Sequence, residues 1–578
     1  MKNTKRARRA AAFAAAVVMA ACAAVPMSSS FSASAAVTAG HITFTGATKG
    51  AEHTYTVYKI FSGTYDAKTK TLTGINWANP AKGADFLAAL KNDTTLKADF
   101  ANCSNPAEVA TVLGTYGNNS ESAKAFAKFA ISQKENLVQV NQTPSADIEV
   151  PDDGYYVIEE AALGENGVNN DEGAMTSYLL GLYSAADGAE ITVKSSMPSV
   201  EKKIQENVKT GNWEDDDKYG DRYNDTADFC IGDTVPFKLI GTLPETLSSY
   251  NTYKYVFHDT LGKEFTVAGG TLQNFAVTGV KIGGKDITDG YNVKAEAGTD
   301  GVTNITVSFD DIKSVIKANN ITFDKNTTVE VTYDAVLNVK AEIGKLGQIN
   351  EVYLEYSNNP NNGGEGTSKT PVDKVIAFTY ELDVTKVDGV NHDTKLKDAK
   401  FVLTRTVNEQ TQYAVLTSDF KVDKWITGTF AFDESTGEVT GEDAEKPTVV
   451  SSDANGEFKF IGLDDGTYYL TETKAPTGYN KLADPIELTI SANTNNTQND
   501  DTINGEELTE LNIKVGSNTT GGDLDKGSVA ATIENNSGSQ LPSTGGIGTT
   551  MFYVGGGVLV AGAGVLLITK KRAKKDAE

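Results

Sequence analysis

The chain has 578 residues, with 77 acidic and 52 basic side chains, four histidines and a formal net charge of −25. So acidic a surface repels nucleic acid and anionic lipid, which excludes functions that work through a basic face. The length exceeds what one hydrophobic core serves, so several domains are expected.

Residues 1–35 read as a signal peptide. Lys2, Lys5, Arg6, Arg8 and Arg9 form a basic start, residues 10–24 are apolar, and Ala33-Ser34-Ala35 fits a signal-peptidase site, with cleavage after Ala35 or Ala36. Met19-Ala20-Ala21-Cys22 is a poor lipobox beside this longer pattern. Cys103 and Cys230 then remain, far apart in sequence. Two thiols in a secreted chain of this size make no disulfide framework, although a Cys103–Cys230 pair stays open.

A first domain is expected over 36–195. Residues 53–61 are rich in β-formers and predict a strand, whereas 85–90 and 122–131 carry Ala, Phe and Leu at helix spacing and predict a helical insert. Pro151-Asp152-Asp153-Gly154 is a turn into the strand that ends at Glu159 and Glu160. A second domain over 196–362 offers short strands at 234–240, 253–257, 302–309, 327–336 and 351–356, separated by Gly- and Asn-rich turns, as in a β-sandwich. Residues 361–370 read as a polar linker or loop. The third domain, 375–537, repeats the earlier turn-strand device as Asp464-Asp465-Gly466-Thr467-Tyr468-Tyr469-Leu470-Thr471-Glu472, so domains one and three read as related sandwiches. Residues 492–503 read as a solvated loop.

The tail, 541–578, has three parts: Leu541-Pro542-Ser543-Thr544-Gly545, an apolar run over 552–568, and a basic cluster ending in Lys574 and Lys575. As a helix the run spans roughly 26 Å, long enough to cross a bilayer with help from its flanks. The basic end stays cytoplasmic, so all that precedes the run lies outside. This arrangement resembles the cell-wall sorting signal of Gram-positive surface proteins. The resemblance implies that a sortase cuts between Thr544 and Gly545 and passes the Thr544 carbonyl to an amine. Loss of 1–35 and 545–578 removes ten basic and two acidic residues, so the mature stretch, 36–544, carries a net charge of −33.

Turnover chemistry finds no support. His41, His53, His258 and His392 lack ligand spacing, there is no phosphate loop and no serine nucleophile elbow, and Glu214-Asp215-Asp216-Asp217 lacks the alternating pattern of a calcium loop. Neither an enzyme nor a cofactor or metal is expected.

A different chemistry is open to strand lysines. Lys386 alternates in phase with Leu382 and Val384, which puts it on the core face. Burial makes such an amine a neutral nucleophile and keeps a neighbouring carboxyl protonated. The acid can then polarise an asparagine carboxamide while ammonia leaves, and a neutral amide replaces a costly buried charge. The stretch 469–479, YLTETKAPTGY, followed by the sorting signal, resembles the E-box region of Gram-positive backbone pilins and their collagen-adhesin B-type domains. The resemblance implies an isopeptide set of Lys386, Glu472 and Asn535, with Asn536 as the alternative acceptor. In the second domain it implies Lys202, acid Asp259 and Asn350, with Lys203 as the competing lysine. Glu159 resembles the E-box glutamate in position, without a lysine that can be chosen for it. The family's acceptor for polymerisation usually sits in a Tyr-Pro-Lys motif; here Ile191-Thr192-Val193-Lys194 occupies that junction, which makes Lys194 the candidate.

The expected fold is therefore all-β: tandem immunoglobulin-like or collagen-adhesin-type sandwiches, the first with a helical insert, plus a C-terminal transmembrane helix. The resemblance implies the major subunit of a covalent pilus on the cell surface. Its partners would be a sortase, identical subunits joined head-to-tail, accessory pilins and peptidoglycan, with a host or matrix ligand possible. A monomeric wall-anchored adhesin, or a tip or base pilin, is the alternative.

Overall fold

The computed structural model describes residues 40–46, 53–143, 147–161, 173–193, 196–207, 222–441, 445–494 and 507–538. The signal, the sorting motif, the apolar run 552–568, Lys194 and the acidic stretch 214–217 lie outside them. Among the described residues no helix is long and apolar enough to cross a membrane. The architecture is mostly β, with helices in the N-terminal part.

The strand Tyr55–Asp66 is central to the first domain. Residues from Tyr55 to Phe61 are all buried, because the strand is covered on both faces. One face packs on the helices Gly83–Asn92, Pro106–Leu113 and Glu121–Ser132 through Phe61, Phe86, Phe126 and Phe129. The other buries Tyr55 and Val57 against Ile42 and Phe44 of a small second sheet. The helices start where their caps dictate: the Asn105 side chain accepts from the Glu108 amide at 3.0 Å, and Ser120 accepts from Ala123 at 3.2 Å.

The middle region is a sandwich of two seven-stranded sheets. One contains Val200–Gln205, Thr234–Thr242 and Thr328–Leu337; the other contains Tyr255–Leu261, Gln348–Ser357 and Asp373–Phe378. Two expectations need correcting. Within 361–370, read as a linker, Thr367–Lys369 pairs with Gln348–Ser357 as a strand of the middle sheet. Residues 373–378 also pair with Gln348–Ser357, so the strand that opens at Asp373 belongs to the middle sandwich and not to the third domain, which starts at Tyr380. Polar composition marks exposure, not the absence of pairing, and an edge segment can satisfy both.

In the C-terminal sandwich, Tyr380–Asp388 lies between Glu457–Leu463 and the final strand Ser528–Asn535. First and last strands run parallel. An eight-stranded sheet containing Lys400–Val407 and Gly466–Lys474 covers them. One continuous core runs through the middle and C-terminal sandwiches. At their junction the Ile231 amide donates to the Gly462 carbonyl at 3.0 Å, and Arg405 makes a two-pronged pair with Asp233 at 2.8 and 2.6 Å. Gly462 sits at φ +91°, and a Cβ there would meet Ile231 at 2.4 Å, so the approach requires glycine. Cys103 and Cys230 are both free and lie in different cores, which closes the question of their pairing.

Candidate functional site

Two buried clusters combine a lysine, an acid and an asparagine. In the middle sandwich, period-two alternation turns Lys202 inward with Val200 and Ile204. Lys202 is fully buried, and its ammonium lies beside the rings of Phe237 and Tyr333, 5.2 and 5.4 Å from their centroids. From the opposite sheet, the Asp259 carboxylate accepts a hydrogen bond from Lys202 Nζ. Asn350, also on that sheet and fully buried, sits at the Leu261 register position on the neighbouring strand. Burial pushes the Lys202 pKa down, against the pull of Asp259, and pushes that of Asp259 up. Both shifts favour the neutral pair.

Tyr333 joins the set and was not anticipated. Its hydroxyl donates to Asp259 at 2.9 Å and accepts from Lys202 Nζ at 3.2 Å and from Asn350 Nδ2 at 2.8 Å. One phenol thus touches nucleophile, acid and acceptor. Only its inward phase in the 327–336 strand was visible beforehand. Tyr333→Phe is expected to slow formation of the middle bond while leaving the C-terminal one unchanged; a time course of the Lys202–Asn350 cross-linked peptide after synthesis reads this. Equal rates in wild type and variant would remove the phenol from the chemistry.

Lys203 points to the other face, where it pairs with buried Asp225, itself raised by burial to about 6. The structure therefore brings Lys202, not Lys203, to Asp259.

In the C-terminal sandwich Lys386 is fully buried and donates to the Ile533 carbonyl at 3.0 Å. The parallel register sets Lys386 opposite Ile533 and Asp388 opposite Asn535, so Lys386 and Asn535 are diagonal neighbours on one core face. Glu472 reaches the same place from the opposite sheet. Its Oε2 accepts from Asn535 Nδ2 at 3.1 Å and from the Leu482 amide at 2.7 Å. The Asn480 carbonyl also accepts from Asn535, at 2.5 Å. Asn536 is exposed and its side chain faces away from the set. Burial pushes Lys386 down to about 8, with Glu472 opposing. Asn350 Oδ1, Asn535 Oδ1 and Glu472 Oε1 are buried without hydrogen-bond partners. Such atoms are costly to leave bare.

The lowered amine has a pH signature in a chain that cannot bond. Burial lowers the folded Lys386 amine from an ordinary 10.5 to about 8, and this burial is expected to persist in Asn535→Ala. Between these values the unfolded state holds the extra proton, so stability rises with pH across that window and the full penalty applies below it. Thermal melts of Asn535→Ala relative to wild type, from pH 7.5 to 10.5, are expected to show the gap narrowing upward; a constant gap would contradict it.

The first domain differs. Glu159 lies half-exposed and pairs with Lys134 at 3.0 Å. Its neighbour Glu160 turns inward, accepting from the Thr176 amide at 2.5 Å and from His53. The E-box likeness of Glu159 thus falls on the outer face of its strand.

Residues 533–576 match the LPXTG cell wall anchor motif, and residues 380–504 match the SpaA family, described as a prealbumin-like fold domain. Over 474 residues the chain is 25% identical to the trypsin-resistant surface T6 protein of Streptococcus pyogenes serotype M6, covering 71% of this chain and 74% of that protein. It is 27% identical over 259 residues to fimbrial subunit type 1 of Actinomyces viscosus, covering 42% of each. The chain therefore carries a cell wall anchor motif behind a prealbumin-like domain, and is similar to a surface protein and to a fimbrial subunit of Gram-positive bacteria. Among solved structures this chain is similar to the T6 backbone pilin of serotype M6 Streptococcus pyogenes, at 18% identity and a TM-score of 0.44, over 88% of this chain and 100% of that one. The major pilin SpaD of Corynebacterium diphtheriae is similar at 14% identity and a TM-score of 0.42, over 87% of this chain and 98% of that one.

Proposed function

We propose that this chain is the backbone subunit of a sortase-assembled pilus, held by two kinds of amide bond, one between subunits and two within each. Between subunits, the Thr544 carbonyl released from Gly545 by a sortase is transferred to Lys194 Nζ of the next subunit. That contact is head-to-tail and heterologous, so it propagates as a fibre. Within the subunit, Lys202 Nζ attacks Cγ of Asn350, and Lys386 Nζ attacks Cγ of Asn535. In each case an Nζ–Cγ bond forms, the Cγ–Nδ2 bond breaks and the nitrogen leaves as ammonia. Asp259 or Glu472 takes a proton from the amine and returns it to the leaving nitrogen.

The observation that carries this reading is the pair of dry clusters in which a buried amine, an acid and a carboxamide meet. An unbonded ammonium at either place would be an expensive resident. The two bonds do different mechanical work. Lys202 and Asn350 stand on opposite sheets, so their amide staples the middle sandwich through its core. Lys386 and Asn535 stand on neighbouring parallel strands, the first and last of their sandwich. Tension entering at Tyr380 and leaving after Asn535 would pass through the amide, and the intervening strands would bear none of it.

Intact mass of a purified fragment, 36–538, tests the internal chemistry: each bond lowers the mass by ~17 Da through loss of ammonia. A deficit of two such steps is expected, with cross-linked peptides containing Lys202 with Asn350 and Lys386 with Asn535. The unreduced sequence mass would overturn the proposal.

A further inference from the structure

The junction between the middle and C-terminal sandwiches contains a second constellation that takes no part in bond formation. Asp228 ends the strand Thr226–Asp228 of the middle sandwich. Asp464 and Asp465 form the turn between Glu457–Leu463 and Gly466–Lys474 of the C-terminal sandwich. All three are more than nine-tenths buried, and one carboxylate oxygen from each lies within 4.8 Å of the other two. Asp464 is anchored: its Oδ1 accepts from the Asp465 amide at 2.9 Å, and its own amide donates to Tyr468 Oη at 3.0 Å. Asp228 donates its amide to Glu206 Oε2 at 2.9 Å.

A cluster of acids alone would signify little. Here Oδ2 of Asp228 and Oδ1 of Asp465 are buried and have no hydrogen-bond partner. Among the described residues no Lys or Arg forms an ion pair with any of the three, and the nearby Arg405 is committed to Asp233. Three carboxylates at this spacing repel one another strongly in a dry junction. Two ways of relieving the repulsion exist: protons or a cation. A shared proton ties two carboxyls, as between Asp228 and Glu206, but leaves Oδ2 of Asp228 and Oδ1 of Asp465 without a partner. A cation needs several oxygens close together, and one from each of the three carboxylates lies within 4.8 Å of the other two. Oxygens up to about 5 Å apart can share an ion at the ~2.4 Å distance of calcium ligation, and an all-oxygen, irregular ligand set suits calcium better than the small octahedral magnesium.

We propose that Asp228, Asp464 and Asp465 hold one calcium ion between the middle and C-terminal sandwiches. The ligands come from both sides, so the ion acts as a non-covalent clamp at the joint that neither internal amide spans. The clamp's mechanical role rests on the pilin reading, while the site itself does not.

The test uses the full chain, solubilised and dialysed against EDTA, with calcium chloride alone as the probe. Calorimetric titration and native mass spectrometry are expected to give one calcium per chain, and calcium is expected to raise the thermal midpoint. Asp465→Asn and Asp228→Asn should each weaken binding at least ~10-fold and abolish the thermal response. Their folding is checked by the same mass deficit and by melts in EDTA, where loss of a repelling charge should leave the midpoint unchanged or higher. If one variant fails to fold, the other carries the comparison. Absence of uptake in wild type would overturn the proposal, as would wild-type affinity in both variants, which would move the ion to another acidic segment such as 214–217. Calcium uptake with an unchanged sequence mass would leave this site standing while sinking the internal amides.

Discussion

Glu472→Gln is expected to leave the C-terminal sandwich folded but unbonded, raising the mass of the 36–538 fragment by ~16 Da relative to wild type, the ~17 Da of retained ammonia less the ~1 Da lost in the substitution. Glutamine can still accept from the Leu482 amide, as Oε2 does now, and fills the same volume. It cannot carry the proton that the leaving nitrogen requires. The consequence for stability is large. The amide from Lys386 to Asn535 closes a loop of about 150 residues, and on the chain-entropy account used for disulfides its loss costs roughly 5 kcal/mol. For a domain of this size that corresponds to a fall of roughly 10–20 °C in the C-terminal thermal midpoint. Failure to bond also leaves the Lys386 amine in its fully buried position. The middle bond, with its own acid in Asp259, should form normally, so the mass difference is one step and not two. A Glu472→Gln chain with the full wild-type deficit would show that the carboxyl is dispensable.

Lys194→Ala is expected to abolish polymerisation altogether. In cells with an active sortase, wild type should give a ladder of high-molecular-weight species on a denaturing gel, since amide bonds survive heating in detergent. The variant should collapse to the monomer, still attached to the wall through Thr544, because the sorting motif is intact. Its two internal bonds should form, as neither cluster includes residue 194. This separates failed assembly from failed folding. A persistent ladder would assign the acceptor to another lysine. The absence of a ladder from wild type itself would favour a monomeric adhesin.

These expectations depend on features of unequal visibility in the sequence. The core-facing phase of Lys202 and Lys386 could be read from their neighbours, because a strand alternates with period two and Val200, Ile204, Leu382 and Val384 identify the buried side. The same alternation turns Glu160 inward and Glu159 outward, so the E-box likeness falls on the outer residue. Tyr333 went unseen because its role is to meet Asp259 and Asn350 from the facing sheet, and no local pattern encodes a partner across a sandwich. Residues 361–378 differ from the sequence reading for a related reason: Thr367–Lys369 is polar yet pairs as a strand, and the apolar, buried 375–378 pairs with Gln348–Ser357, a partnership decided by the sheet.

The sequence by itself carried the anchor motif, the β-rich character of the chain with helices near its N-terminus, and the inward face of Lys202 and Lys386. These are local properties, written in composition, turn chemistry and the pitch of the backbone. Only the tertiary structure decided which inward-facing groups meet. Lys386 and Asn535 became neighbours through the parallel register of the first and last strands, and Asp259 met Lys202 across the core. Asp228 came within 4.8 Å of Asp464 and Asp465 only because two sandwiches share a junction. A search for ligands at close sequence spacing could not find that cluster, since long-range register and packing set such distances, not the chain's local geometry.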